Sequence, residues 1–192
     1  MTDFDEAPTG FRCRRGVPGD APALASFAEA IFRETFGPGN RPDDLDAYIA
    51  TAYGPGRQEA ELRDPAIVTL LAEMEGALAG YVQLSARRQP EAATWPAPVE
   101  IMRFYVDRRW QGRGVARALM LEALMEAVRM GGRTVWLCVW EHNPRAIAFY
   151  AKCGFADVGS APFQLGADRQ TDRIMARSLA GDAPASTTLR GG

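Results

Sequence analysis

Two glycines and three arginines stand where an apolar run meets a long helical pattern. The stretch is VDRRWQGRGVARALMLEAL, residues 106–124, with Gly112 and Gly114 in its turn beside Arg108, Arg109 and Arg113. Such a turn can hold an anion. Glycine has no Cβ, so the backbone can come close to a ligand. The first N–H groups of the following helix lack intrahelical partners and favour negative charge. A diphosphate suits that chemistry. Taken alone, a plain tight turn with solvated arginines explains the same residues. The turn is not a G-x-x-x-x-G-K-[ST] phosphate loop, and a G-x-G-x-x-G fingerprint would need glycine where the chain has Arg117.

The other reactive residue types are few. His142 is the only histidine, which excludes a multi-histidine metal site within one chain. It stands in WEHN, where a solvated loop residue is the default. Cys13, Cys138 and Cys153 are odd in number and form no C-x-x-C pair, so a reduced, cytoplasmic protein is expected. Cys138 and Cys153 have no evident basic partner and read as packing residues.

The 192 residues carry a net charge of −2, which argues against nucleic acid as the main partner. No apolar run reaches the roughly 18 residues that span a bilayer, and the first ten residues lack the apolar core of a signal peptide. We expect one domain over 11–180, with flexible tails at 1–10 and 181–192.

The elements that must position the turn follow from periodicity. Residues 11–16 read as a short strand, and Leu24, Phe27, Ala28, Ile31 and Phe32 fall at helical spacing. A second helix starts at Pro42 and is expected to end at the GPG of 54–56. Residues 66–74 and 77–86 form a hairpin across Glu75–Gly76. The strand 99–106 puts Glu100, Met102, Phe104 and Val106 on one face, and Ile101, Arg103 and Tyr105 on the other. The 114–130 helix is apolar nearly all round, with a narrow polar stripe of Glu122, Glu126 and Arg129. After it come a buried strand (133–140), a helix capped by Asn143 and ended by Gly154, and two more strands. The expected fold is α/β (α+β): a mixed, mostly antiparallel sheet of about seven strands with about four helices, in the order βααβββαβαββ.

Two blocks of this order resemble the GNAT superfamily of N-acetyltransferases. Gln111-Gly112-Arg113-Gly114-Val115-Ala116 matches that family's Q/R-x-x-G-x-G/A loop, and NPRAIAFYAKCGF matches its N-x-x-A-x-x-F-Y-x-x-x-G-F block. The resemblance spans roughly residues 11–180 and implies binding of acetyl-CoA, with no metal. It implies cofactor contacts from Phe104, Tyr105 and Val106 on the fourth strand, from the loop residues 111–116, and from Asn143, which also caps its helix. The Val106 N–H would lie near the thioester oxygen.

Tyr150 of the F-Y pair is the implied general acid, against a packing role on an amphipathic helix. Glu100 is the candidate base, against a water chain or a merely structural acid. Family members usually carry the strand-four glutamate two residues nearer the loop, where this chain has Met102. FRETFGPGNRPDDLDAYI, VWLCVWEHNPRAIAFY and FQLGADRQTDRIM also resemble segments of PaiA-type acetyltransferases, which act on polyamines. Asp43, Asp44, Asp46, Glu29 and Glu34 would then attract a polycation. The implied partner is a small amine, with no nucleic acid and no membrane, and a homodimer is allowed. A protein-lysine, N-terminal or antibiotic acetyltransferase and a non-catalytic acetyl-CoA sensor are the alternatives.

Overall fold

A computed structural model describes residues 7–90, 93–166 and 168–179. Strand β1 (Phe11–Arg15) leads to three helices, α1 (Ala21–Phe36), α2 (Pro42–Ala52) and α3 (Pro55–Arg63). Then follow β2 (Ile67–Met74), β3 (Ala77–Ser85), β4 (Pro98–Val106), α4 (Val115–Arg129), β5 (Thr134–Trp140), α5 (Pro144–Lys152), β6 (Ala156–Leu165) and β7 (Asp168–Ser178). The sheet order is β1-β2-β3-β4-β5-β7-β6. β4 and β5 pair in parallel, and the other neighbours pair antiparallel. A parallel pair needs a crossover, and α4 supplies it. At the β2–β3 hairpin both Glu75 and Gly76 have positive φ, as a two-residue turn matched to the strand twist requires.

The order is therefore βαααβββαβαββ, one helix more than the sequence suggested. The GPG at 54–56 ends α2 and also starts α3, with Pro55 in its first turn. α3 escaped notice because its buried side chains are Gln58 and Glu61, which leave no apolar stripe. Residues 7–10, expected in the N-terminal tail, touch the domain. The Pro8 carbonyl accepts a hydrogen bond from Phe11 N at 2.9 Å, and the Pro8 ring adjoins Gly114. The other residues assigned to tails, 1–6 and 181–192, lie outside those described.

The two sheet faces hold separate cores. Val115, Leu119 and Ala123 of α4 pack on Leu70, Val82, Leu84 and Ile101. Leu24 and Phe32 of α1 and Leu45 and Ile49 of α2 pack on Leu71 and Tyr81. Neighbours such as Leu70 and Leu71 thus serve opposite faces, as a strand dictates.

α4 corrects a second expectation. Glu126 is 2% exposed, and its carboxylate pairs with Arg15 of β1 and with Arg129 at 2.8 Å. Leu121, Met125 and Val128 face outward together with Arg129. An all-round apolar helix does not reveal which face packs. Arg15 of β1 and Arg129 of α4 together neutralise the buried acid on the packed face.

Gly80 on β3 fixes how closely β4 can lie. A Cβ there would fall 2.7 Å from the Tyr105 carbonyl oxygen and 3.0 Å from Val106 Cγ2. The strand end that later forms the site therefore depends on a missing methyl group. Gly80→Ala should cost about 1–3 kcal/mol through overpacking and lower the thermal midpoint by several degrees. An unchanged midpoint in a calorimetric scan would show that β4 yields without strain.

Candidate active site

The site begins with one extra residue in β4. Val106, Tyr105, Phe104 and Arg103 face Gly80, Tyr81, Val82 and Gln83 on β3, and then the register jumps to Ile101 opposite Leu84. Met102 is the unmatched residue. One inserted residue reverses the facing of all residues beyond it. Val99 and Ile101 therefore join Phe104 and Val106 on the α4 side, whereas Glu100 shares the α1–α2 side with Arg103 and Tyr105. This corrects the strict alternation expected from the sequence, which put Glu100 with Phe104 and Val106.

The bulge also marks where two strands part. β4 and β5 pair from Pro98↔Thr134 to Ile101↔Leu137 and no further, while β3 continues to pair with β4 as far as Val106. Alternate amides and carbonyls of residues 102–106 thus face a gap in place of a strand. A cleft of about 810 Å³ opens there, lined from both sheet faces.

One wall comes from β4, the glycine turn and α5. Phe104, Val106, Gln111, Gly112, Ala116, Asn143 and Tyr150 all line the cleft, and Tyr105 and Glu100 line its other part. Gln111 Nε2 donates to the Val106 carbonyl at 3.0 Å, which ties the turn to the strand end. Gly112 and Gly114 have φ of 75° and 84°, a region L-residues rarely adopt. Gly114 is the N-cap of α4.

Arg113, Gly114 and Val115 are outside the cleft lining. Val115 is fully buried in the core. The three arginines divide their roles. Arg109 turns back to Asp107 at 2.7 Å, which holds that carboxyl below its ordinary value. Arg108 reaches Glu34 of α1 at 3.5 Å, and Arg113 lies over the Trp110 ring at 5.6 Å.

Tyr150 is placed by the geometry of α5. Asn143 Oδ1 accepts from Ala146 N at 3.1 Å and Pro144 fills the first turn. At the far end Gly154 takes a φ of 83°, and Phe155 N donates to the Tyr150 carbonyl at 3.0 Å. The Tyr150 ring packs edge-on against Phe104 and Phe155. Burial, with a smaller push from Cys153, raises its hydroxyl above the ordinary phenol value, so it stays a hydrogen-bond donor through alkaline pH.

The opposite wall rests on a buried polar network that the sequence did not disclose. Arg103 donates to the Glu61 carboxylate, to Gln83 Oε1 and to the Ala52 carbonyl. Arg57 closes the network at 2.6 Å from Glu61. The Arg103 guanidinium lies 5.0 Å from the Tyr53 ring centre, and the Tyr53 and Tyr105 hydroxyls are 3.2 Å apart. An arginine in a strand reads as outward-facing. The acid that neutralises it sits on a helix whose pattern shows no apolar face.

Above this network the wall is aromatic, with Phe36, Tyr48, Tyr53, Trp140 and Phe163. Burial raises the Glu100 carboxyl above its ordinary value, and Arg88 opposes the shift. Cys138, expected to pack, faces the cleft instead. Desolvation at the cleft floor pushes its thiol up to about 12, with Asp172 and Glu100 adding to the effect. It therefore holds its proton and is no nucleophile at neutral pH. Asp172 is pushed up to about 6 by burial and then by Glu141.

The acids expected on α2 do not line the cleft. Asp46 pairs with Arg33 at 2.6 Å, and Glu29 meets the same arginine at 3.0 Å. The carboxylates that do line it are Glu34, Glu100 and Asp172. Asp172 was legible in principle, since TDRIM places it in alternation with the buried Ile174. Among the described residues no group of three or more His, Cys, Asp or Glu side chains is placed to hold a metal ion, and no helix is long and apolar enough to cross a membrane.

Comparison with known proteins agrees with this layout. The acetyltransferase (GNAT) family pattern matches residues 26–155. An uncharacterized N-acetyltransferase of Mycobacterium tuberculosis is 32% identical over 160 residues, covering 83% of this chain and 98% of that protein. The spermine/spermidine N(1)-acetyltransferase of Bacillus subtilis is 30% identical over 91 residues, covering 46% of this chain and 59% of that one. Among solved structures, the PaiA N-acetyltransferase of Thermoplasma acidophilum in complex with coenzyme A superposes with a TM-score of 0.71 at 19% identity, over 88% of this chain and 98% of the other. The family pattern, the split between β4 and β5 and the glycine turn converge, and this chain belongs to the acetyltransferase (GNAT) family.

Proposed function

We propose that this enzyme moves the acetyl group of acetyl-CoA to a primary amine in a ternary complex, and that its acceptors are small polyamines. The observation that carries the transfer is the cleft itself. Its α5 wall ends at the glycine turn and Tyr150, its other wall holds carboxylates and aromatic rings, and unpaired strand backbone lies between.

The donor's diphosphate would lie at the turn, where Gly112 is exposed and α4 begins, because a helix N-terminus favours an anion. The thioester would reach the gap beside Val106. The amine arrives as an ammonium ion, because an alkylamine has a pKa near ~10.4. A base must take one proton, and Glu100 is our candidate, directly or through water. Its raised carboxyl and its place on the acceptor side, a consequence of the bulge, both support the role.

The free amine nitrogen then attacks the thioester carbonyl. A backbone N–H at Val106 would stabilise the oxyanion. The C–S bond breaks as the C–N bond stays, and the departing thiolate accepts a hydrogen bond and finally a proton from Tyr150. The products are the acetamide and the free thiol. Tyr150 regains its proton from the nitrogen, through solvent. The polyamine preference is supported by Glu34, Glu100 and Asp172 along the cleft and by the partial likeness to a spermine/spermidine acetyltransferase.

Three outcomes test this reading. A bulkier residue at Gly112 meets strained φ and blocks the backbone approach, so Gly112→Val should weaken acetyl-CoA binding at least tenfold in a folded protein; unchanged calorimetric affinity would return the turn to a plain packing role. Tyr150→Phe keeps the ring contacts and removes the donor. Turnover should fall by about 10²–10⁴ with near-normal acetyl-CoA affinity, and a loss of only a few-fold would make the tyrosine structural. Activity should rise from neutral toward alkaline pH as the amine loses its proton. At matched pH spermidine should outcompete butylamine, with the advantage shrinking as salt screens the charge. Equal efficiency for the two amines, insensitive to salt, would remove the polyamine claim alone.

A further inference from the structure

Asp172 is the least explained group in the cleft. It sits in β7, opposite Trp140 of β5 and Ala161 of β6. Its Oδ1 is shut off from solvent and accepts no hydrogen bond. The other two cleft acids face arginines, Glu34 meeting Arg108 and Glu100 feeling the charge of Arg88. Tyr48 and Cys138 both feel the charge of Asp172, and neither is a cation. Glu141 adds a second negative charge nearby.

A buried carboxylate oxygen without a donor is costly to keep. Its surroundings indicate what would relieve the cost. Trp140 is its strand partner, with Phe36 5.8 Å from that indole. Tyr48 lies close enough to sense its charge, and Phe163 stacks edge-on against Tyr48 at 5.6 Å. Aromatic faces beside an acid suit an organic cation, which gains from the ring quadrupoles as well as from the charge. An anionic acceptor would be repelled by Asp172 and Glu141.

We propose that Asp172 is the docking carboxylate of the acceptor: it receives an alkylammonium group in a pocket walled by Trp140, Tyr48, Phe36 and Phe163. The proposal rests on reading this cleft as an amine site, and it makes Asp172 a specificity-determining residue for cationic acceptors. The bond formed is an ion pair, so no proton or electron transfer is required of Asp172.

Asp172→Asn keeps the shape and removes the charge. The KM for spermidine, whose second ammonium can dock while another nitrogen reacts, should rise about 10- to 100-fold, the size expected for a lost charge-assisted hydrogen bond. The kcat at saturating amine and the calorimetric affinity for acetyl-CoA should stay within a few-fold of wild type. The variant should also be at least as stable to heat, because a carboxylate without a partner contributes no stability. A folded Asp172→Asn variant with unchanged KM, or with kcat lowered and KM unchanged, would overturn the proposal.

Tetramethylammonium supplies a test that needs no turnover. It carries the charge and cannot be acetylated. Its binding to the wild-type protein with CoA present should weaken about tenfold in Asp172→Asn. Absent or equal binding to both proteins would sink the docking role. Clear binding without acetylation of any amine would keep the subsite and refute the transferase reading of this cleft.

Discussion

The loss of pairing between β4 and β5 beyond Ile101 and Leu137 is the constraint on which the rest of the site depends. A continuous sheet has no free backbone at its centre. Here the bulge at Met102 turns the chain, and the ladder to β5 stops within one residue of it. The freed amides and carbonyls line the cleft, and covering them without a partner would be expensive. A ligand with amide and carbonyl groups is a natural replacement for the absent strand. Gly80 assists by letting β3 lie against the diverging strand. Gln111 then fastens the glycine turn to the end of that strand.

The gap needs firm walls, and the two sides meet that need differently. On the α4 and α5 side the support is apolar, with Val115 and Leu119 beneath the turn and Phe104, Phe149 and Phe155 around Tyr150. On the other side it is ionic. Arg103 is held by Glu61, Gln83 and the end of α2, and Glu61 is shared with Arg57. Removing one partner of such a network strands a buried charge, at a cost of about 3–5 kcal/mol. The network holds Tyr53 under the Arg103 guanidinium and beside the Tyr105 hydroxyl, on that wall of the cleft.

Sequence and structure agree where the signal is local and differ where it depends on a distant partner. The hairpin at Glu75–Gly76, the Asn143 cap, the Gly154 stop and the glycine turn each carry their own backbone chemistry, and the structure has them at those residues. Strand alternation places Glu100 with Phe104, but a bulge has no side-chain signature, so Met102 reverses the face unseen. α3 packs on Gln58 and Glu61, and these become core residues only through Arg103, some forty residues away in the chain. The acids of α2 are spent on Arg33 and helix ends, while Asp172, which no motif marks, faces the cleft. Local chemistry thus foretells the glycine turn and the helix α5, and long-range pairing decides the opposite wall of the cleft.

Hydrogen exchange of the backbone tests the role of the gap most directly. The measurement is amide exchange across residues 98–116 with and without acetyl-CoA, followed by mass spectrometry of overlapping peptides. The account predicts that acetyl-CoA slows exchange in residues 102–106 and at the start of α4, while β1 and β2 stay unchanged. Protection elsewhere, with residues 102–106 exchanging at the same rate in both states, would contradict the claim that the donor takes the place of the missing strand.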